Sequence, residues 1–417
     1  MPARPSPGAA IRVLSVTALL AVATATPFRA AEAVIHPATR AVWVTRTSLA
    51  SPETVTRMVR AAGAAGFNTL LIQVRGRGDA YFTGGLEPRA ADLAARPEFD
   101  PLALTLELAQ AAGLQVHAWV AVNLVSSAFE LPASNQHIVY RNPDWLMVPR
   151  ELASEMRTID VRSPAYVGTL ARWTRAHSSE VEGLYASPLV PGAATHVADV
   201  IGDLVRRYSI DGLHLDYARY PSDAFDYSPS ALDQFRRAIL PELTAAERSD
   251  AAARESLDPL AYPNLFGDRW NAFRRSRLTA LVMRIRTAAK QARPGIILSA
   301  AVVPDVRQAF DERLQDWRTW LDQSLIDVLC PMAYTPDSAL FQQQVAMAKA
   351  YAGDRPVWAG IGAYRLNPAQ IVQNIDAATR LGSAGVILFS YDSLIAPPNS
   401  IGSFAELGRA AFGSGSN

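Results

Sequence analysis

The chain has 417 residues, 49% of them hydrophobic, with 40 Lys+Arg against 39 Asp+Glu for a net charge of +1. The length suits one large domain or two ordinary ones. The balanced charge, without an acidic or basic tail, argues against a nucleic acid or an anionic membrane surface as partner. The single cysteine, Cys330, cannot form an internal disulfide and reads as a small buried apolar residue.

The N-terminus reads as a secretory signal peptide spanning residues 1–33. Arg4 and Arg12 precede the apolar run VLSVTALLAVATA (13–25), and AEA (31–33) supplies a small-x-small cleavage signal, with ATA (23–25) as an earlier option. No cysteine stands near the cleavage site, so a lipid anchor is not indicated. The run is too short for a membrane span, and no stable membrane insertion is expected once the leader is removed. Export without disulfides points to a bacterial periplasm or exterior.

In chain order, eight apolar runs follow: 41–45, 69–74, 115–122, 212–217, 296–303, 327–334, 357–364 and 385–391. Helical patterns separate or flank them at 52–65, 101–112, 194–207, 268–292, 313–323, 339–352, 368–381 and 402–412. Ser51-Pro52, Asp100-Pro101 and Asn367-Pro368 each place a capping side chain before a first-turn proline. Gly66, Gly113 and Gly382 close helices before the next strand. Strict alternation implies parallel strands with helical crossovers, and eight units imply an α/β fold of the (β/α)8, or TIM-barrel, type. An open doubly wound sheet is the rival, but no glycine-rich phosphate loop follows the first strand. One barrel domain is expected over 38–413, with a disordered tail at 414–417. Long connections at 123–193 and 218–267, after strands three and four, fall on the C-terminal face, where such barrels build their sites.

Chemistry gathers at the ends of those strands. In DGLHLDYARYP (211–221), Gly212, His214 and Asp216 share one strand parity, and Leu213, Leu215 and Tyr217 share the other. The polar parity points into the barrel, with Asp216 nearest its mouth. A buried carboxylate costs several kcal/mol unless it is paired or solvated, so Asp216 faces either a partner such as Arg219 or a polar cleft. In QVRGRGDAYF (73–82), Gln73 and Arg75 share a parity and Asp79 follows in a turn; these groups form a structural Arg–Asp pair or bind hydroxyls. His117, Trp119 and Asn123 share a parity at the end of strand three. Tyr334, Trp358, Tyr391 and Asp392 fall in or after the last three strands. Together the carboxylates, amides and aromatics suit a carbohydrate. The histidines at 36, 117, 137, 177, 196 and 214 lack zinc-type spacing, so no metal or cofactor is expected, and a metal-dependent deacetylase is disfavoured. There is no G-x-S-x-G nucleophile motif.

QVRGRGDAYF, HAW (117–119), NPDWL (142–146), DGLHLDYARYP, PMAY (331–334) and GVILFSYDSL (385–394) fall in order over roughly residues 40–395, and the chain thereby resembles the glycosyl-hydrolase-like 10 family of exported bacterial proteins. The resemblance implies a TIM-barrel glycosidase acting on a bacterial glycan, with peptide-free peptidoglycan strands as one target. It makes Asp216 the leading catalytic carboxylate and puts Gln73, Arg75, Asp79, His117 and His214 in the cleft. Asn123, Arg219, Tyr220, Tyr334, Trp358 and Tyr391 are further expected substrate-binding residues. The chain departs from the family's pattern at Ala121, where asparagine is usual, and at AAVVPD (300–305). The motif also resembles the D-G-x-D-x-D-x-E of family 18 chitinases, but Ala218 replaces the glutamate, which argues against their substrate-assisted mechanism.

Glycoside hydrolysis ordinarily needs two carboxyl groups, about 5–5.5 Å apart for retention or about 6.5–9.5 Å for inversion. Asp216 is the expected general acid, with Asp305 and Asp392 as candidates for the second carboxylate. The alternative is a barrel that binds glycan without cleaving it.

Overall fold

The computed structural model describes residues 1–2 and 37–413. The leader expected at 1–33, apart from its first two residues, and the tail expected at 414–417 lie outside the described residues. Residues 37–413 form one compact unit.

Eight parallel strands close into a barrel in sequence order: β1 Thr39–Val44, β2 Thr69–Arg75, β3 Gln115–Ala121, β4 Gly212–Asp216, β5 Ile297–Val302, β6 Val328–Ala333, β7 Trp358–Ile361 and β8 Gly385–Phe389. Closure is made by β1 on β8, from Thr39 opposite Gly385 to Trp43 opposite Phe389. The expected (β/α)8 architecture is therefore the observed one. Side-chain alternation divides the core into two layers. Val42, Val44, Leu213 and Leu215 face the helices. Ala41, Trp43, Leu71, Trp119, Cys330, Trp358 and Ile387 fill the inside of the barrel.

The capping signals work as their chemistry requires. Ser51, Asp100 and Asn367 each accept a backbone N–H from the first turn of the helices at Pro52–Ala64, Pro101–Ala111 and Pro368–Arg380. The helix expected over 313–323 is shortened to Trp317–Asp322, because Asp316 caps it there, its carboxylate taking the N–H and hydroxyl of Thr319. A separate short helix at Val306–Asp311, capped by Asp305, precedes it.

Three insertions crowd the C-terminal face. The connections after β3 and β4 carry short helices and their own apolar clusters, one around Ile138, Leu146 and Leu170 and the other around Leu232, Phe235 and Trp270. The third runs from Gly76 to Asp100, before the helix at Pro101–Ala111; its glycines and prolines gave no helical pattern to mark it. Among the described residues no helix is long and apolar enough to cross a membrane.

Candidate active site

β4 delivers Asp216 to the barrel mouth as its parity requires. The side chain is 8% exposed. Its Oδ2 accepts the Trp119 indole N–H at 3.1 Å, and its Oδ1 accepts the Tyr217 backbone N–H at 2.7 Å. Burial pushes its pKa up to about 6, against the opposing influence of Arg219. Tyr217 leaves the strand at φ 52°, and its ring lies beneath the Arg219 guanidinium, 4.8 Å from carbon to centroid.

The other carboxylate in this cleft is Glu182. It comes from the insertion after β3, where the segment 182–186 lies antiparallel across 123–128. Val125 donates to the Leu184 carbonyl at 2.8 Å, and Ala128 donates to the Glu182 carbonyl at 2.9 Å. Gly183 makes this approach possible, because a Cβ there would stand 1.8 Å from the Ser126 carbonyl oxygen. Glu182 accepts from Arg219 Nη2 at 2.6 Å and from the Tyr185 hydroxyl at 2.6 Å. Glu182 stands at the cleft rim with its side chain 39% exposed; partial desolvation raises its pKa, but the Arg219 charge and these hydrogen bonds outweigh it, and the net shift is downward. Its own charge in turn raises Asp216. The two carboxyl groups are thus driven in opposite directions, which is how one site assigns acid and base roles.

The cleft has a volume of about 510 Å³. Its floor is aromatic and centred on Phe389, whose ring lies 5.4 Å from Tyr334, 5.9 Å from Trp43, 6.0 Å from Tyr364 and 6.3 Å from Trp119. Such rings offer apolar faces to sugar C–H groups while polar groups fix orientation. Gln73 and Arg46 line the β1–β2 side.

A profile of the family described as glycosyl hydrolase-like 10 matches residues 38–374. The chain belongs to the glycosyl hydrolase-like 10 family. Glycosyl hydrolase YngK of Bacillus subtilis is 23% identical over 291 residues, 64% of this chain and 46% of that protein. Glycosyl hydrolase DigH of Escherichia coli is 23% identical over 309 residues, 69% of this chain and 59% of that protein. This glycosyl hydrolase-like 10 chain thus spans about half the length of the curated relatives it matches. Among solved structures, the glycoside hydrolase domain of PgaB (BpsB) from Bordetella bronchiseptica superposes with a TM-score of 0.62 at 17% identity, covering 91% of this chain and 99% of that one. The catalytic domain of a Paenibacillus polymyxa β-amylase gives 0.56 at 12% identity, covering 88% and 97%. At these identities the likeness is one of fold.

The structure brings Asp216, Gln73, Arg219 and Tyr334 together in the cleft. It places the other expected site residues of this family member elsewhere, each for a physical reason. Arg75 is buried under the rim, its Nε and Nη2 bound at 2.6 Å to Glu87 and its Nη1 donating to the Ala121 carbonyl. Its partner is therefore Glu87 and not Asp79. Asp79 lines an adjoining trough, where its Oδ1 accepts the Arg77 N–H at 3.0 Å.

His214 sits in the barrel interior. The Trp43 indole donates to its Nε2 at 3.0 Å, so Nδ1 carries the proton and donates to Ser299 Oγ at 2.9 Å. His117 lies deeper, tilted against Trp358 with ring centroids 5.4 Å apart. Trp358 is the first residue of β7, which puts it below the cleft. Desolvation lowers the two histidines to about 3 for His214 and about 4 for His117.

Asn123 donates to the Arg219 carbonyl at 3.2 Å and braces the loop. Tyr220 is fully buried, with its hydroxyl on the Arg274 carbonyl. Strand alternation ends at Phe389 because Ser390 caps a helix at Tyr391–Ile395. Phe389 therefore faces the cleft, while Tyr391 packs on Phe404. Asp392 accepts the Thr45 N–H and the hydroxyls of Thr47 and Ser48 at 2.7–2.9 Å, tying the end of β1 to that of β8. Asp305 is an exposed helix cap. Neither Asp305 nor Asp392 lines the cleft.

Sequence reading missed Glu182, Arg46, Arg77 and Phe389. Phe389 was available from β8 parity once the strand end was fixed. Glu182 had no local signal, since its place depends on a segment folding back over β3.

Proposed function

We propose that this chain is an exported glycoside hydrolase acting on a bacterial polysaccharide by carboxylate acid–base catalysis, with peptide-free peptidoglycan glycan strands as the first substrate to test. The observation that carries the reading is a pair of carboxyl groups in one aromatic-floored cleft whose proton affinities are driven apart. Asp216, protonated below about pH 6, donates its proton to the glycosidic oxygen as the bond to the anomeric carbon breaks. Glu182, ionised, stabilises the positive charge that develops on the sugar and supports attack by water. After transfer, the Asp216 carboxylate is held by the Trp119 and Tyr217 N–H groups. Export is supported by the N-terminal leader pattern, and the substrate class by the family and by the cleft.

The purified protein is incubated with peptide-free strands and other bacterial glycans, and products are read by mass spectrometry. Asp216→Asn and Glu182→Gln should each lower kcat by about 10²-fold or more, and the activity of the unmutated protein should decline above about pH 6. The alternative of a glycan-binding barrel without catalysis has the opposite signature: binding that survives both substitutions and no product with any substrate. Undiminished hydrolysis by Asp216→Asn would remove the acid role assigned here.

A further inference from the structure

Arg46 and Arg77 stand on neighbouring strand ends, one just after β1 and the other just after β2. Both are half-buried. Both line the cleft of Asp216 and also a second trough of about 450 Å³ between segments 79–94 and 126–137. The two depressions therefore meet at this pair.

Neither guanidinium has a hydrogen-bond partner or a carboxylate within 4.0 Å among the described residues. The surrounding cations are only partly held. Arg219 is bound by Glu182 at 2.6 Å through Nη2, and Arg89, on the trough wall, donates from Nη2 to the carbonyls of Arg96 and Phe99 while its Nε and Nη1 have no partner. Three acids also line the trough. Of these, Asp79 accepts the backbone N–H of Arg77, Asp92 accepts the Tyr81 hydroxyl at 2.6 Å, and Glu130 stands on the far wall. Desolvation and then the proximity of Arg46 weaken Arg77's hold on its proton, with Asp79 opposing. Two like charges are thus held side by side and partly out of water, a placement that costs free energy until an anion arrives.

Their backbones, in contrast, are fixed. Asp392 pins Thr45, Thr47 and Ser48 around Arg46. The Arg77 carbonyl accepts the His137 Nε2–H at 2.8 Å. Gly78 follows at φ 71°, where a Cβ would also stand 2.8 Å from that ring nitrogen. The backbones are hydrogen-bonded in place and the guanidinium groups are left without partners of their own, so both forks are open to an anion.

Building on the hydrolase reading, we propose that Arg46 and Arg77 form a carboxylate-reading subsite, so that the polysaccharide carries an acidic sugar beside the scissile bond and continues into the trough. The acid is either a uronic carboxyl or a lactyl-ether carboxyl, both planar anions matched by two guanidinium forks.

The test is binding to the Asp216→Asn chain, which keeps the glycan intact. The probes are peptide-free peptidoglycan oligomers, oligogalacturonates, the carboxyl-reduced form of each, and neutral chitohexaose. At least one carboxylated probe should bind about tenfold or more tightly than its reduced form, with affinity falling as salt rises. Which probe shows the preference identifies the acid. Adding Arg46→Gln and Arg77→Gln should reduce the preference to about threefold or less. If that variant does not fold, the reduced-against-native comparison on the Asp216→Asn chain stands alone as the test. Equal affinity for carboxylated and reduced probes, or a preference unchanged by the double substitution, overturns the proposal. Hydrolysis without carboxylate preference would remove the arginine assignment and leave the hydrolase reading standing. Carboxylate-dependent binding by a chain that cleaves no glycan would do the reverse.

Discussion

Replacing Asp216 by asparagine should make the protein more stable at neutral pH and less stable in acid. Burial raises this carboxyl from 3.8 to about 6, a difference of about 2 pH units at about 1.4 kcal/mol each, or about 3 kcal/mol in all. Because the folded-state pKa lies above the unfolded one, the folded chain binds more protons between about pH 4 and pH 6. Stability from this group is complete below that window and is lost as pH rises through it. Asparagine does not titrate and escapes the loss. It does, however, put an NH2 group, which only donates, where the protonated carboxyl keeps a hydroxyl oxygen that can still accept, and the Trp119 and Tyr217 N–H groups each need an acceptor; that mismatch costs about 1 kcal/mol. The variant should therefore be about 2 kcal/mol more stable than the unmutated chain near pH 7.5 and about 1 kcal/mol less stable near pH 3.5. Urea titrations followed by tryptophan fluorescence at the two pH values measure the difference. An unchanged stability gap between them would show that Asp216 is not held in a desolvated state, and its role as a proton donor would fall with that.

Arg75→Ala should act through folding. It leaves Glu87 buried without its cation, at a cost of about 3–5 kcal/mol that denaturant titration at pH 7 would register. Burial opposes ionisation of Glu87, but Arg75 and His196 hold its pKa at about 2. This contribution is therefore present above about pH 4.5 and lost as pH falls toward 2, so the variant's deficit should narrow in acid; a deficit that does not change with pH would place Glu87's stabilisation elsewhere. His117 and His214, lowered to about 4 and about 3 by burial, should stay neutral through the working range. Their imidazole NMR signals should not move between pH 5 and pH 8, and a titration near 6.5 in either would show that water reaches the barrel interior.

The barrel was legible because its signals are local. Apolar runs separated by capped helices, such as those started by Ser51, Asp100 and Asn367, specify strand and helix by period and by backbone hydrogen-bond needs within a few residues. Eight repeats of that unit close in only a few ways. Parity then carried Asp216, Gln73 and the inward histidines to the correct face of each strand.

What alternation could not supply was depth and what crosses the rim. His117 and Trp358 share the inward face with Asp216, but strand stagger sets them below the cleft. Asp392 and Asp305 follow strands, yet Asp392 spends both oxygens on backbone and hydroxyl donors and Asp305 caps a helix at the surface. The sequence by itself determined the closed barrel and put Asp216 at the inward-facing end of its fourth strand. Only the tertiary structure decided which carboxylate shares its cleft and which arginines lie beside it, because Glu182 reaches the cleft through a segment folded back over β3, and Arg46 and Arg77 follow strands paired side by side in the sheet.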